Sequence, residues 1–279
     1  MTRTIEPRCP ATHIAPVHHL RSVDGQALQR RWRWFLNLAT PELEGVELSL
    51  WRSDAGVDFF WPPTPGRAAF YRALQRFPGY ALRDKFEFRW SAQRMPAQGR
   101  LLELGPGRGH FRRHLPPELD WTGVQEGPPG IEHWDVACCF QVLEHLPDPL
   151  EALSSLTRGL RPGGEVFLGL PMGDGWLGRA RDLVLDAPPH HLTRWTEKGA
   201  RALVRSAGLE WLESARTPLE SWERPLAAMA EHAPRTETDF GGGLLRVLAQ
   251  ARAALRGPRS AEVQGVTLVL RARVPVRPG

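Results

Sequence analysis

The sequence predicts an α/β protein built on a mostly parallel sheet. Two observations carry this. From Arg100 onward, short apolar runs of strand length alternate with segments of helical length. The first such run, Leu101-Leu102-Glu103-Leu104, passes directly into a turn with glycine at 105, 107 and 109. That is the local pattern of a strand handing over to a helix beside a ligand. With 279 residues, 42% of them apolar, the chain has material for one large α/β domain.

Taken in order, residues 1–65 read as an N-terminal cap segment. It is bounded by the stiff run Trp61-Pro62-Pro63-Thr64-Pro65-Gly66. Within it, Arg30-Arg31-Trp32-Arg33-Trp34-Phe35 reads as an amphipathic helix, its aromatic residues packed inward and its arginine stems lying along that face. Residues 66–279 form the sheet-bearing part. Helices are expected over Arg67–Phe77 and Asp84–Met95. Strands are expected over 100–104, 120–124, 133–140, 164–170, 209–215 and 265–272, the fourth entered by the turn Arg161-Pro162-Gly163-Gly164. Helices are expected over 148–160 and 197–207, the second capped by Thr196 and stopped by Gly208. Residues 218–255 read as a helical insertion, broken at Pro225, Pro234 and Gly241-Gly242-Gly243. Its Met229, Phe240 and Leu244 are expected to pack on the sheet rather than face a ligand.

Composition narrows the function. The formal charge is +5 and the pI about 9.7. All basic residues except Lys85 and Lys198 are arginine, a bias that points only weakly to nucleic acid. No run of about 18 apolar residues exists, so no transmembrane segment is expected. Met1–Leu20 has no apolar signal core, and a cytoplasmic location is expected. Cys9, Cys138 and Cys139 read as buried thiols rather than a disulfide framework.

The glycine turn carries the chemistry. Its spacing is G-x-G-x-G, not the G-x-G-x-x-G of a dinucleotide site, which disfavours a nicotinamide-dependent oxidoreductase. A carboxylate at the end of the strand, Glu103, suits a cationic ligand better than a phosphate. Three further segments follow in order. They are Trp134-Asp135-Val136-Ala137-Cys138-Cys139-Phe140-Gln141-Val142-Leu143-Glu144-His145-Leu146-Pro147-Asp148-Pro149, Gly159-Leu160-Arg161-Pro162-Gly163-Gly164, and Pro188-Pro189-His190-His191-Leu192-Thr193-Arg194-Trp195-Thr196. In this order and spacing the chain resembles the class I S-adenosylmethionine (SAM) methyltransferases, and among them the bacterial branch similar to ubiquinone-biosynthesis methyltransferases. The resemblance covers residues 70–215 well and residues 216–279 loosely.

The resemblance implies a Rossmann-like, doubly wound sheet of six to seven strands, with SAM as cofactor over the first turn. It implies that Glu103 lies near the methionine amino group and that Gly105, Gly107 and Gly109 pass beneath the cofactor. It places Gln125 at the ribose hydroxyls, Gln141, Val142 and Glu144 on the far wall, and His190 and His191 on the substrate side. An imidazole near neutral pKa suits removal of a proton from a hydroxyl, so His190 and His191 are the candidate bases. Glu144 and His145 have a plainer reading as caps of the following helix.

Two departures stand out. Relatives carry an acidic residue where Gln125 stands, with Glu126 its neighbour. They also carry a helix and a strand before the Trp134-Asp135 strand. Here residues 126–133 span roughly 26–29 Å when extended, enough to recross a sheet but not to supply both elements. That helix and the sheet's third strand are expected to be missing. Some relatives carry a cysteine-pair zinc module, and Trp51-Arg52-Ser53-Asp54-Ala55-Gly56 resembles its second knuckle with Ser53 and Ala55 in place of thiolates. No metal is expected. The reading is a methyltransferase acting on oxygen of a small-molecule, lipid or glycan acceptor, with nucleic acid not expected as partner. Its rival is an inactive methyltransferase-like binding or partner module.

Overall fold

A computed structural model describes residues 6–77, 80, 82–125, 134–179, 183–221, 223–232 and 264–276. The elements in chain order are β1 (Val17–Asp24), α1 (Gly25–Leu36), β2 (Glu47–Ser53), β3 (Val57–Trp61), α2 (Ala68–Leu74), α3 (Phe86–Ala92), β4 (Gly99–Leu104), β5 (Leu119–Val124), β6 (Trp134–Phe140), α4 (Pro149–Arg158), β7 (Leu160–Pro171), α5 (Trp176–Arg179), β8 (Thr193–Trp195), α6 (Glu197–Ser206), β9 (Glu210–Arg216), α7 (Glu223–His232) and β10 (Thr267–Arg273). Among the described residues no helix is long and apolar enough to cross a membrane.

The principal sheet has strand order β5-β4-β6-β7-β10-β9. Strands β5, β4, β6 and β7 pair in parallel, and β10 runs antiparallel to both β7 and β9. This is the Rossmann-like, mostly parallel sheet that the sequence predicts. Its inner strands are continuous apolar runs because both faces are covered. Alternation along β6 shows how. Ala137 and Cys139 point to the face where Leu150, Leu153 and Leu156 of α4 pack, with Ala200, Leu203 and Val204 of α6 in the same cluster. Val136, Cys138 and Phe140 point to the opposite face, against Phe88 and Trp90 of α3 and Phe111. All three cysteines are buried free thiols. Strand β5 is the edge of this sheet among the described residues, and residues 126–133 lie outside them.

The chain leaves β4 for β5 on one side and returns to β6 on the other. The carboxyl end of β4 is therefore a topological switch point, where open α/β sheets bind ligands.

The N-terminal residues form an antiparallel meander, β1-β2-β3, which β8 extends from much later in the chain. The Thr196 hydroxyl donates to Gly56 O at 2.7 Å at the same junction. In the β2–β3 turn, Ser53 Oγ accepts from the Ala55 N–H at 3.1 Å, so a hydrogen-bonded turn stands where the zinc-module resemblance had thiolates. Helix α1 is capped by Asp24, whose carboxylate accepts from Gln26 and Ala27 N–H, and ends on Asn37 in the left-handed region. Its inward residues are Gly25, Leu28 and Trp32.

Five local expectations are corrected. Trp34 and Phe35 do not pack inward with Trp32 but stand in solvent: two residues along a helix turn Trp34 by about 200° from Trp32, and Phe35 lies in the last turn of α1, at the helix end. The helix expected over Asp84–Met95 is shorter, Phe86–Ala92. After the glycine turn comes one 3-10 turn, Phe111–His114, instead of an α-helix, with Pro116-Pro117 two residues beyond. Strand β7 begins at Leu160 and takes in the turn Arg161–Gly164. Pro225 does not break a helix. It is the third residue of α7, in the first turn, where no i→i−4 bond is lost. The breaks at Pro234 and Gly241–Gly243, with Phe240 and Leu244, lie outside the described residues, as does the side chain of Met229.

Candidate functional site

One cavity of about 950 Å³ opens at the carboxyl end of β4 and runs from the glycine turn to a buried histidine cluster. Glu103, Gly105, Gly107, Gln125, Gln141, Val142, Glu144, His190 and His191 all line it. Gly109 does not. It faces Trp121, whose ring would stand 3.7 Å from a Cβ there.

Gly105, Gly107 and Gly109 all lie in the left-handed region, and the first two face the cavity. Gly105 has φ +68°, its N–H donates to Val124 O at 2.8 Å, and a Cβ would lie 2.5 Å from Val142 Cγ2. Gly107 has φ +54°, and a Cβ there would meet nothing within 4 Å. Backbone at Gly107 is thus bare toward the cavity. Glu103, 3% exposed, accepts from Trp121 Nε1–H at 2.7 Å. Burial pushes its carboxyl up to about 7, while the Trp121 hydrogen bond and the Lys85 charge hold it down in part. A cationic group arriving beside Glu103 would favour the ionised form. The donor set and the open cradle fit the amino-acid end of SAM. Gln125 stands exposed at the end of β5.

On the opposite wall, Gln141 has φ +56°, and its amide donates to Thr267 Oγ1 at 3.1 Å and Glu87 Oε2 at 3.3 Å. Glu144 is fully buried, with neither carboxyl oxygen hydrogen-bonded. His145 Nε2 is 3.6 Å from its Oε1 and His191 Nε2 is 3.9 Å away. Burial pushes this carboxyl up to about 8. Neither Glu144 nor His145 caps α4. Asp148 does so, accepting from Glu151 N–H at 2.9 Å.

The three imidazoles are locked by their Nδ1 atoms. His145 donates to His190 O at 2.6 Å, His190 to Leu185 O at 2.6 Å, and His191 to Asp186 Oδ1 at 3.2 Å. His190 Nε2 therefore accepts from the Tyr80 hydroxyl, 2.7 Å away. Asp186 is also held by Arg194 Nε at 2.9 Å. Burial, which disfavours the imidazolium, lowers the pKa of His145 to about 4 and those of His190 and His191 well below the usual range. All three are neutral at pH 7.

These histidines each offer a nitrogen within 4.8 Å of the others. An ion bound by an imidazole lies in the ring plane, and the rings of His190 and His191 stack at 15° with centroids 4.5 Å apart. No single point near both nitrogens lies in both planes, so this pair cannot jointly chelate one ion in this arrangement.

Sequence reasoning missed several cavity residues, among them Tyr71, Tyr80, Lys85 and Glu87. A signal existed. The chain has two tyrosines and two lysines, and both tyrosines and one of the lysines are here.

The family described as "Methyltransferase domain" matches residues 71–214. The chain belongs to this methyltransferase-domain family. It is 27% identical over 108 residues to the ubiquinone biosynthesis O-methyltransferase of Methylococcus capsulatus, covering 33% of this chain and 45% of that protein. It is 41% identical over 46 residues to the enzyme of the same name from Aliivibrio fischeri, covering 16% and 20%. The chain thus spans less than half the length of these curated relatives. A solved structure of a putative methyltransferase from Bacillus halodurans superposes with a TM-score of 0.43 at 14% identity, covering 68% of this chain and 97% of that one.

Proposed function

We propose that this protein is a SAM-dependent methyltransferase that methylates an oxygen of a small-molecule, lipid or glycan acceptor. The observation that carries the reading is a single cavity joining the glycine turn after β4 to the buried tyrosine, histidine and glutamate side chains. Glu103, Gly105 and Gly107 would hold the methionine end of SAM, Gln125 the ribose, and Gln141, Val142 and Glu144 the far wall. The cofactor supplies an electrophilic sulfonium methyl, which needs an aligned nucleophile and exclusion of water. The chain's own groups meet both needs. Tyr71, Tyr80 and the apolar lining would help to exclude water once an acceptor fills this end of the cavity.

His191 is the better placed of the two candidate bases. Asp186 takes its Nδ1–H and leaves the Nε2 lone pair toward the acceptor. Burial, however, holds this imidazole well below the near-neutral pKa expected of a base, so it would align the acceptor hydroxyl by accepting its hydrogen bond and take the proton only as the methyl transfers. His190 spends Nδ1 on Leu185 O and Nε2 on Tyr80, so it positions the phenol. The division 1–65 and 66–279, with the insertion 218–255, remains part of this proposal. So does the role of the first segment as a cover over the substrate side.

Calorimetric titration with S-adenosylhomocysteine tests the reading. Micromolar binding by wild type, abolished in Gly107→Arg, supports it and justifies an acceptor screen with labelled SAM. No binding at millimolar ligand overturns it. The result would favour the inactive binding module, a reading supported by Gln125 standing where relatives carry an acidic residue.

A further inference from the structure

We propose that the outer face of α1 docks on an anionic lipid surface. Two of the large apolar side chains that stand in solvent among the described residues are neighbours on this helix, Trp34 at 64% exposed and Phe35 at 48%. Helical spacing puts Arg30 four residues before Trp34, on the same face, and Arg31 four before Phe35. The Arg31 guanidinium lies 5.3 Å from the Phe35 ring centroid. Arg33 is exposed in the last turn. Opposite Trp34, Leu28 and Trp32 are fully buried, so the helix is fixed to the protein by one face, and Phe35 follows that face into solvent at the end of the last turn.

Charge and shape choose the partner. Exposed tryptophan and phenylalanine among arginines match the boundary between acyl chains and headgroups, where rings insert and guanidinium groups meet anionic lipid. A nucleic acid would need an open ring face for stacking. Here Trp34 and Phe35 meet edge to face at 4.6 Å, and Arg31 sits over Phe35. The same helix reaches the cavity wall from its inner side. Trp32 Nε1–H donates to Pro188 O, and its ring centroid lies 6.3 Å from that of His190. A docked protein would hold that wall about one helix diameter from the headgroups.

The test uses full-length protein and vesicles of phosphatidylcholine alone or mixed with phosphatidylglycerol. Wild type should co-sediment with the mixed vesicles and not with the neutral ones, and should be released at about 0.5 M salt. The double variants Trp34→Ala/Phe35→Ala and Arg30→Gln/Arg33→Gln should each lower the partition coefficient about tenfold or more. Unchanged thermal melting separates this from misfolding. Failure to bind mixed vesicles overturns the proposal, as does wild-type binding by both variants. Binding of a single-stranded RNA oligonucleotide that both variants abolish, with vesicle binding untouched, overturns it in favour of nucleic acid.

Discussion

Trp121 donates its indole Nε1–H to Oε2 of Glu103 at 2.7 Å, tying the edge strand β5 to the one carboxylate beneath the glycine turn. This bond partly offsets the burial that pushes Glu103 up to about 7. Replacing Trp121 by Phe removes the donor and keeps most of the ring. The folded-state pKa of Glu103 then rises further above its unfolded value near 4.5. A raised carboxyl contributes stability at low pH that is lost as pH rises through the folded pKa. The cost of Trp121→Phe should therefore be about 1 kcal/mol at pH 6 and about 2–3 kcal/mol at pH 8. Urea unfolding at the two pH values checks it, and an equal cost at both would show that Glu103 does not titrate in this range.

Glu144 should make the fold sensitive to alkali. Its buried carboxyl holds a proton up to about pH 8, whereas the unfolded chain releases it near 4.5. The stability it contributes is complete below 4.5 and is lost as pH rises toward 8. Glu144→Gln removes that titration. Relative to wild type, the variant should gain about 1.4 kcal/mol per pH unit between roughly pH 5 and 8. His145 acts at the other end. With a folded pKa near 4, it loses stability as pH falls below 6.5. Denaturation midpoints across pH 5–8.5 test the difference, and parallel curves would count against a protonated Glu144.

Much of this architecture is legible in the sequence because the strands are short, strongly apolar and bounded by turn residues. The strands expected over 100–104 and 133–140 lie within one residue of the structural strands β4 and β6, since both are buried on two faces and no competing periodicity exists. The glycine turn is legible for the same local reason. What escaped depends on distant packing. That Trp34 points outward while Trp32 points inward follows from what lies beneath α1, and α1 presses on Phe70 and Pro188, far along the chain. Tyr80 and Glu87 reach the cavity from segments before β4, and nothing local to them marks this. Gln125 and His190 are at the cavity as the motif order suggests, but the burial that keeps His190 neutral and the Tyr80 hydroxyl on its Nε2 come from distant packing.

Gly105 should resist substitution for two separable reasons. Its φ of +68° disfavours any side chain, and an added Cβ would overlap Val142 Cγ2 at 2.5 Å. Gly105→Ala should cost about 2–3 kcal/mol, of which about 1 kcal/mol is backbone strain. Adding Val142→Ala removes the clashing methyl, so the double variant should be more stable than the sum of the single losses allows. A double-mutant cycle by urea denaturation measures the coupling. Strict additivity would mean that the overlap is relieved by movement of the turn, and S-adenosylhomocysteine affinity should then fall even in Gly105→Ala alone.

Trp32 ties α1 to residues far along the chain. It is fully buried, donates Nε1–H to Pro188 O at 2.8 Å and meets Phe70 edge to face at 5.0 Å. Trp32→Phe should leave the Pro188 carbonyl without its donor at a cost of about 1–2 kcal/mol. Trp32→Ala should cost about 3–5 kcal/mol, because a large cavity opens beneath α1. The two losses differ in their reach. The His190 ring is 6.3 Å from Trp32 and stacks on His191, so the alanine variant should shift the imidazole proton resonances of both histidines, while the phenylalanine variant should shift mainly that of His190. If Trp32→Ala costs less than about 1 kcal/mol and leaves both resonances in place, the cap is energetically independent of the cavity wall. A cover that moves with the acceptor then becomes the better description of residues 6–61.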